Sequence, residues 1–119
     1  MTPLASPEKA APLFDALGDP HRLRMVFWLC DTGPCSTSAV TQAVPVTRQA
    51  ATKHLTLLES AGVVRSEKRG RERIWTVQTT SLAAAQDLLA TLSQRWDRRI
   101  DRLRAFVEDD DQAARHEPR

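Results

Sequence analysis

The feature that most constrains this chain is a change in hydrophobic period at Gly62. Before it, residues 47–60 place Ala51, Leu55 and Leu58 at helical spacing, which predicts a helix with one buried stripe. After it, "VVRSEK" and "RIWTVQ" alternate apolar and polar residues on either side of "RGRE", which predicts a β-hairpin with a Gly-containing turn. The chain must therefore cover one helix face and one hairpin face with the same small core.

Three further helical segments precede this change, and capping residues and prolines separate them. The first begins at Pro7 and ends at Gly18, and Asp19 is the expected N-cap of the second. The second, "HRLRMVFWLC", is apolar nearly all round, so we place it in the core. Ser36 is expected to cap a short third helix, and Thr47 caps the fourth. The predicted fold class is mainly α with a small β-hairpin.

Charge is distributed unevenly along the chain. The whole sequence of 119 residues carries a net charge of only +2 and is 41% hydrophobic, which fits one domain with a modest core. The hairpin segment 62–73 holds five cations against two carboxylates; the cations are Arg65, Lys68, Arg69, Arg71 and Arg73. A local basic patch on a near-neutral chain favours a polyanionic partner at one face.

Several classes of protein are disfavoured by what the sequence lacks. It has no apolar run of about 18 residues, which predicts no membrane span, and its N-terminus has no apolar signal core, which predicts a cytoplasmic protein. It shows no phosphate-binding loop, H-E-x-x-H or G-x-S-x-G motif and no Tyr, so we expect no enzyme activity. Its two cysteines are too few for a disulfide framework or a four-ligand zinc site. We therefore predict no cofactor.

Two short helices followed by a charged hairpin predict a winged helix-turn-helix, a fold that binds double-stranded DNA. The fourth helix would place its N-terminal side chains at base edges; these are Thr47, Arg48, Gln49 and Thr52. Arg48 suits guanine, Gln49 suits adenine, and the Thr52 methyl group suits thymine. Lys53 and His54 are expected to reach phosphate. A merely solvated helix face is the alternative for this segment taken alone.

The hairpin tip supplies the second set of candidate DNA contacts. Lys68, Arg69, Arg71 and Arg73 are predicted to contact phosphate or the minor groove. A charged hairpin tip can also serve only to keep a sheet edge soluble. Five cations within twelve residues exceed that need, and together with the preceding helices they favour DNA binding.

The segments "LFDALGDPHRLRMV" and "VTRQAATKHLTLLESAGVVRSEKRGRERIWTV" resemble the ArsR/SmtB family of bacterial winged-helix repressors, over about residues 10–108. The resemblance implies a homodimer that binds an inverted-repeat operator and is released by a metal or another signal. The family's metal motif on the third helix, E-L-C-V-C-D-L, corresponds here to "PCSTSAV", with Ser36 and Ser38 in place of the two cysteines. The last helix, residues 81–109, has no His. The resemblance is therefore to a metal-independent branch, and the inducer is unassigned.

A long last helix, over about residues 81–109, is the predicted dimerisation element. Its apolar residues recur close to the 3.5 spacing of a coiled coil and are Leu82, Ala85, Leu89, Leu92, Trp96, Ile100, Leu103 and Phe106. This stripe is expected to face a second copy, with Leu13 of the first helix alongside; the alternative is a helix lying across its own domain. We predict one domain over residues 1–109 and a disordered tail over 110–119.

The two cysteines leave several interpretations open. Cys30 closes the second helix and Cys35 precedes the third, where a helix N-terminus can lower the pKa of a thiol. They can be structural, with Cys30 as a small core residue. They can instead form a disulfide switch, or hold a soft metal or metalloid together with the partner chain. The predicted function is a DNA-binding repressor, with a thiol- or metalloid-responsive repressor as one alternative and a dimeric interaction protein without specific DNA readout as another.

Overall fold

The computed structural model describes the backbone of residues 7–115 and the side chains of residues 7–112. Its elements are α1 (Pro7–Leu17), α2 (Pro20–Thr32), β1 (Cys35–Ser36), α3 (Thr37–Ala43), α4 (Arg48–Ser60), β2 (Val64–Arg69), β3 (Glu72–Val77) and α5 (Thr79–Arg115). The mainly helical fold with a hairpin is confirmed. The chain divides into two compact units, Met1–Ala85 and Gln86–Arg119, where the sequence predicted one domain.

Side-chain caps begin three of the helices where the sequence predicted them. Asp19, Ser36 and Thr47 each accept a hydrogen bond at 3.1 Å from the backbone N–H three residues further on. Each bond satisfies one of the N–H groups that a helix start leaves without a partner. Gly62 follows α4 with a φ of 80°, a left-handed conformation that Gly adopts without strain. These positions fix where α4 begins and where the chain turns toward β2.

The sheet has three antiparallel strands in the order β1-β3-β2, one more than the predicted hairpin. The additional strand, β1, pairs Cys35 with Trp75 and Ser36 with Ile74. Two residues between a proline and a helix are too few to show an alternating pattern, so this strand was not predicted. It joins the start of α3 to the central strand of the sheet.

The core of the first unit lies between the helices and one face of the sheet. Its largest fully buried side chains are Met25, Leu29, Val40, Leu55, Leu58, Val63 and Val64. Trp75 of β3 is buried as predicted, and its indole N–H donates to Thr37 Oγ1 at 2.8 Å. This bond explains why Thr37, a polar residue, is buried in α3.

One residue assigned to the dimer face lies elsewhere. Leu13 is only 2% exposed and packs in the core of its own unit, so its assignment to dimerisation is wrong. The apolar stripe Ala10, Leu13 and Ala16 of α1 faces this core. A short helix buries one stripe, and here that stripe is used within the chain.

The last helix, α5, is longer than predicted. It continues to Arg115, so residues 110–115 are helical and the expected tail is wrong there; residues 116–119 lie outside the described residues. In the second unit Leu89, Leu92, Trp96, Leu103 and Phe106 are all more than half exposed. Ile100 is partly buried, as is Leu82 in the first unit. Among the described residues, no helix is both long enough and apolar enough to cross a bilayer.

Candidate nucleic-acid interface

The N-terminal half of α4 presents a continuous polar face. Thr47, Arg48, Gln49, Thr52 and Lys53 are all exposed. The opposite side of the helix is held by its buried stripe, Ala51, Leu55 and Leu58. The structure thus brings five of the six candidate DNA-contacting residues of this segment to one solvent-facing surface. None of the five is buried in the core, so this face of α4 is free to enter a DNA groove.

The Arg48 side chain is not extended into solvent. Its Nη1 donates to Ser38 Oγ of α3 at 2.9 Å. The Thr52 hydroxyl donates to the Arg48 carbonyl oxygen at 2.9 Å, which fixes its rotamer along the helix. Sequence reasoning missed Ser38, because a residue ten positions away on another helix gives no periodic signal. To reach a base edge, Arg48 must exchange this hydrogen bond for one to the nucleic acid.

His54, the sixth candidate, lies beside the start of α2. It is partly buried, and its ring centroid is 6.0 Å from that of His21. The Arg22 backbone N–H lowers the pKa of the Asp19 carboxyl, and the charges of Arg22 and His54 add to this effect. Among the described residues, His21 Nδ1 is buried without a hydrogen-bond partner. The location of His54 fits contact between α4 and α2 better than contact with phosphate.

The four candidate cations of the hairpin are all exposed. Arg71 lies in the turn, and the other three divide between two faces of the sheet. Lys68 pairs with Arg73 across the strands, two residues along from the Ser66–Trp75 pair. Lys68 and Arg73 therefore point to the same face of the sheet as Ser66 and Trp75. Arg69 lies opposite Glu72, one residue out of phase, and therefore points to the other face. Its Nε is 3.4 Å from Glu67 Oε1, in an exposed ion pair that contributes little to stability.

A hydrogen-bonded group links α4 to the hairpin. Glu59 Oε2 accepts from the Ser66 backbone N–H at 2.8 Å and from Ser66 Oγ at 2.6 Å. Arg73 Nη1 donates to Ser66 Oγ at 2.8 Å. We call the β2–β3 hairpin, residues 64–77, the wing, and we call Glu59, Ser66 and Arg73 the α4–wing bridge. Sequence reasoning assigned Arg73 to DNA and missed Glu59 and Ser66, because an acidic residue at the end of a helix is ordinarily solvated.

The burial of Cys30 and the pKa of Cys35 both differ from what the sequence predicted. Cys30 is exposed, so the interpretation as a core residue is wrong. Cys35 is partly buried and its thiol donates to the Gly33 carbonyl oxygen at 3.1 Å. Burial raises the pKa of Cys35, where a lowered pKa was expected. Within the described part of the chain, no three His, Cys, Asp or Glu residues are grouped so as to hold a metal ion.

A short helix, a capped helix with an exposed polar face and a charged hairpin together define a winged helix-turn-helix domain. No family model matches the chain. Over 100 residues it is 31% identical to an HTH-type transcriptional regulator of Mycobacterium tuberculosis, covering 84% of this chain and 87% of the relative. An ArsR-like transcriptional regulator of solved structure is likewise 31% identical to it, so the chain belongs to the ArsR family of helix-turn-helix transcriptional regulators, a class without enzyme activity.

Solved structures agree with this assignment. An ArsR-like transcriptional regulator from Rhodococcus sp. RHA1 superposes with a TM-score of 0.76 at 31% identity, covering 83% of this chain and 92% of that one. A winged helix-turn-helix domain from Mycobacterium bovis, described as homodimeric, superposes with a TM-score of 0.60 at 20% identity, covering 71% and 79%. The second likeness concerns the fold alone.

Proposed function

We propose that this chain represses transcription by binding, as a homodimer, an inverted-repeat DNA operator. The observation that carries the proposal is the exposed polar face at the N-terminus of α4, flanked by the charged wing. Arg48, Gln49 and Thr52 read base edges there, and Lys53 contacts phosphate. Lys68, Arg69 and Arg71 of the wing add phosphate or minor-groove contacts. Such a protein acts in the cytoplasm, where bacterial DNA is found.

The homodimer is supported by the apolar surface of α5. In its second unit, the apolar side chains that recur at coiled-coil spacing and are more than half exposed are Leu89, Leu92, Trp96, Leu103 and Phe106. A contiguous apolar face of this kind marks an interaction surface. The related domain from Mycobacterium bovis is described as homodimeric. A symmetric dimer would match the two half-sites of an inverted repeat.

The test is selection of random DNA fragments by the purified protein, followed by sequencing and footprinting. We expect an enriched inverted repeat that is protected symmetrically. Sedimentation should show a dimer at the protein concentration that saturates the site. Recovery of DNA without a repeat, or saturation of the site by a monomer, would contradict the proposal. Retention on a heparin column that does not depend on salt concentration would argue instead for an interaction protein without DNA readout.

Regulation through the cysteines is a second candidate, favoured by the exposure of Cys30 five residues from Cys35. A disulfide between them, or a soft metal or metalloid shared with the partner chain, would couple the end of α2 to the start of α3. Operator affinity should be compared after oxidant, zinc and arsenite treatment, in the parent and in Cys30→Ser/Cys35→Ser protein. An effect that disappears in the variant supports this candidate, and unchanged affinity in the parent excludes it.

A further inference from the structure

We infer that Glu59 is a positioning residue that fixes the wing relative to the recognition helix α4. It acts through the α4–wing bridge, and Arg73 serves that bridge instead of contacting phosphate. The inference rests on the proposed DNA binding, because it concerns how α4 and the wing reach one DNA segment together. Its physical basis does not depend on DNA and can be measured in the isolated protein.

The position of β2 at the edge of the sheet explains why an acidic residue lies at position 59. Strand β2 lies at an edge, since the strand order is β1-β3-β2. The Ser66 N–H points away from β3 and meets Glu59 Oε2 at 2.8 Å. An edge strand leaves such N–H groups without a ladder partner. A carboxylate from the last turn of α4 supplies the acceptor, and the same oxygen also accepts the Ser66 hydroxyl.

Buried side chains hold the two strands of the wing unequally. In β3, Trp75 is buried and hydrogen-bonded to Thr37 of α3. At the base of β2, Val63 and Val64 are fully buried, but Arg65 and residues 67–73 are exposed. Ser66, which pairs with Trp75, is therefore the first position beyond the buried valines at which β2 is tied to a helix. Hydrogen bonds with an ionised acceptor are shorter and stronger than neutral ones. Two of them meet at Glu59, and Arg73 extends the connection to the second strand of the hairpin.

The direction in which DNA affinity changes on removal of Glu59 distinguishes a positioning role from electrostatic repulsion alone. An acidic side chain near DNA repels phosphate, so removing its charge alone should tighten binding. If Glu59 positions the wing, its removal should weaken binding despite the lost repulsion. Glu72 is the matched control, because it is an exposed carboxylate on the same hairpin and lies outside the bridge.

The experiment measures Kd for the selected operator over a salt series in the parent, Glu59→Ala, Glu59→Gln and Glu72→Ala. Glu59→Ala should weaken operator binding about tenfold and lower the salt slope by roughly 0.9 for each phosphate contact the wing loses. Glu59→Gln should recover most of the affinity, because its amide oxygen still accepts the Ser66 N–H. Glu72→Ala should bind as tightly as the parent or more tightly.

A second measurement works without DNA. The Ser66 amide should exchange its hydrogen faster in Glu59→Ala than in the parent, while the amide of Trp75 in β3 keeps its rate. An unchanged Ser66 rate, or operator binding by Glu59→Ala as tight as in the parent, overturns the inference. A parent that binds no DNA overturns the proposed function, and the exchange rate still decides whether the bridge holds the wing.

Discussion

At the scale of single residues, Arg48 shows how a candidate contact is held before it is used. Its guanidinium donates to Ser38, so binding a base requires an exchange of hydrogen bonds rather than the immobilisation of a free side chain. Breaking the Arg48–Ser38 hydrogen bond costs less free energy than binding a guanine edge gains, because that edge accepts two hydrogen bonds from Arg. The Ser38 contact therefore keeps Arg48 ordered close to the surface of α4.

We expect Arg48→Ala to weaken operator binding by on the order of 1–3 kcal/mol and to relax specificity at one base position in each half-site. Ser38→Ala is the control, since it removes only the bond made in the unbound protein and should leave specificity intact. Binding to a set of operators substituted at each position measures both effects. An Arg48→Ala protein with the parent's specificity would show that α4 lies differently in the groove.

The two thiols should differ in reactivity, in the order opposite to that expected from helix position. The thiolate is the reactive form, and the raised pKa of Cys35 keeps its thiol protonated at neutral pH. We therefore expect iodoacetamide to modify exposed Cys30 before partly buried Cys35. Mass spectrometry over a time course, with Cys30→Ser protein as the control, measures both rates. Faster modification of Cys35 would contradict the environment described for it.

At the scale of elements, the sequence predicted what depends on local signals and missed what depends on contacts between elements. The Thr47 cap and the Gly62 turn were foreseen, because each acts on its own neighbours. Strand β1 was not, since two residues carry no period and its pairing is with β3. Glu59 was missed for the same reason: its acceptor role exists only once β2 lies against α4.

The wing should behave as two kinds of cation. Arg71 lies in the turn beside Gly70, with no part in the bridge, while Arg73 donates to Ser66. We expect Arg71→Ala to lower the salt slope of operator binding by roughly 0.9, with specific and non-specific affinity reduced alike. Arg73→Ala also removes one positive charge, but it should change the salt slope less than Arg71→Ala does. Equal slopes in the parent and the Arg71 variant would mean that the turn does not touch DNA.

At the scale of the whole molecule, the length of α5 was underestimated for a physical reason. The tail was expected to be disordered because "EDDDQAARHEPR" has no apolar period. A helix that already exists adds residues without a new nucleation cost, so its end can extend beyond its apolar stripe. The apolar stripe itself was foreseen, whereas Leu13 was misplaced because sequence alone does not tell which helix face is used within the chain.

Dimerisation should depend on the exposed stripe of α5. Trp96→Glu places a carboxylate on that stripe, and burying it in an apolar interface costs several kcal/mol or forces its protonation. Sedimentation should then show a monomer that no longer binds the operator. Gln94→Glu, on an exposed position outside the stripe, adds the same group and should remain a dimer. A Trp96→Glu protein that sediments as a dimer would remove α5 from the interface.

The three tryptophans occupy three environments, and this gives the protein its own optical reporters. Trp75 is buried against Thr37, Trp28 is partly buried, and Trp96 is 65% exposed on α5. The emission of Trp75 should follow melting of the core, whereas that of Trp96 should shift to shorter wavelength when a second chain covers it. A chain with Trp28 replaced by Phe would therefore report folding and assembly separately, without an added label.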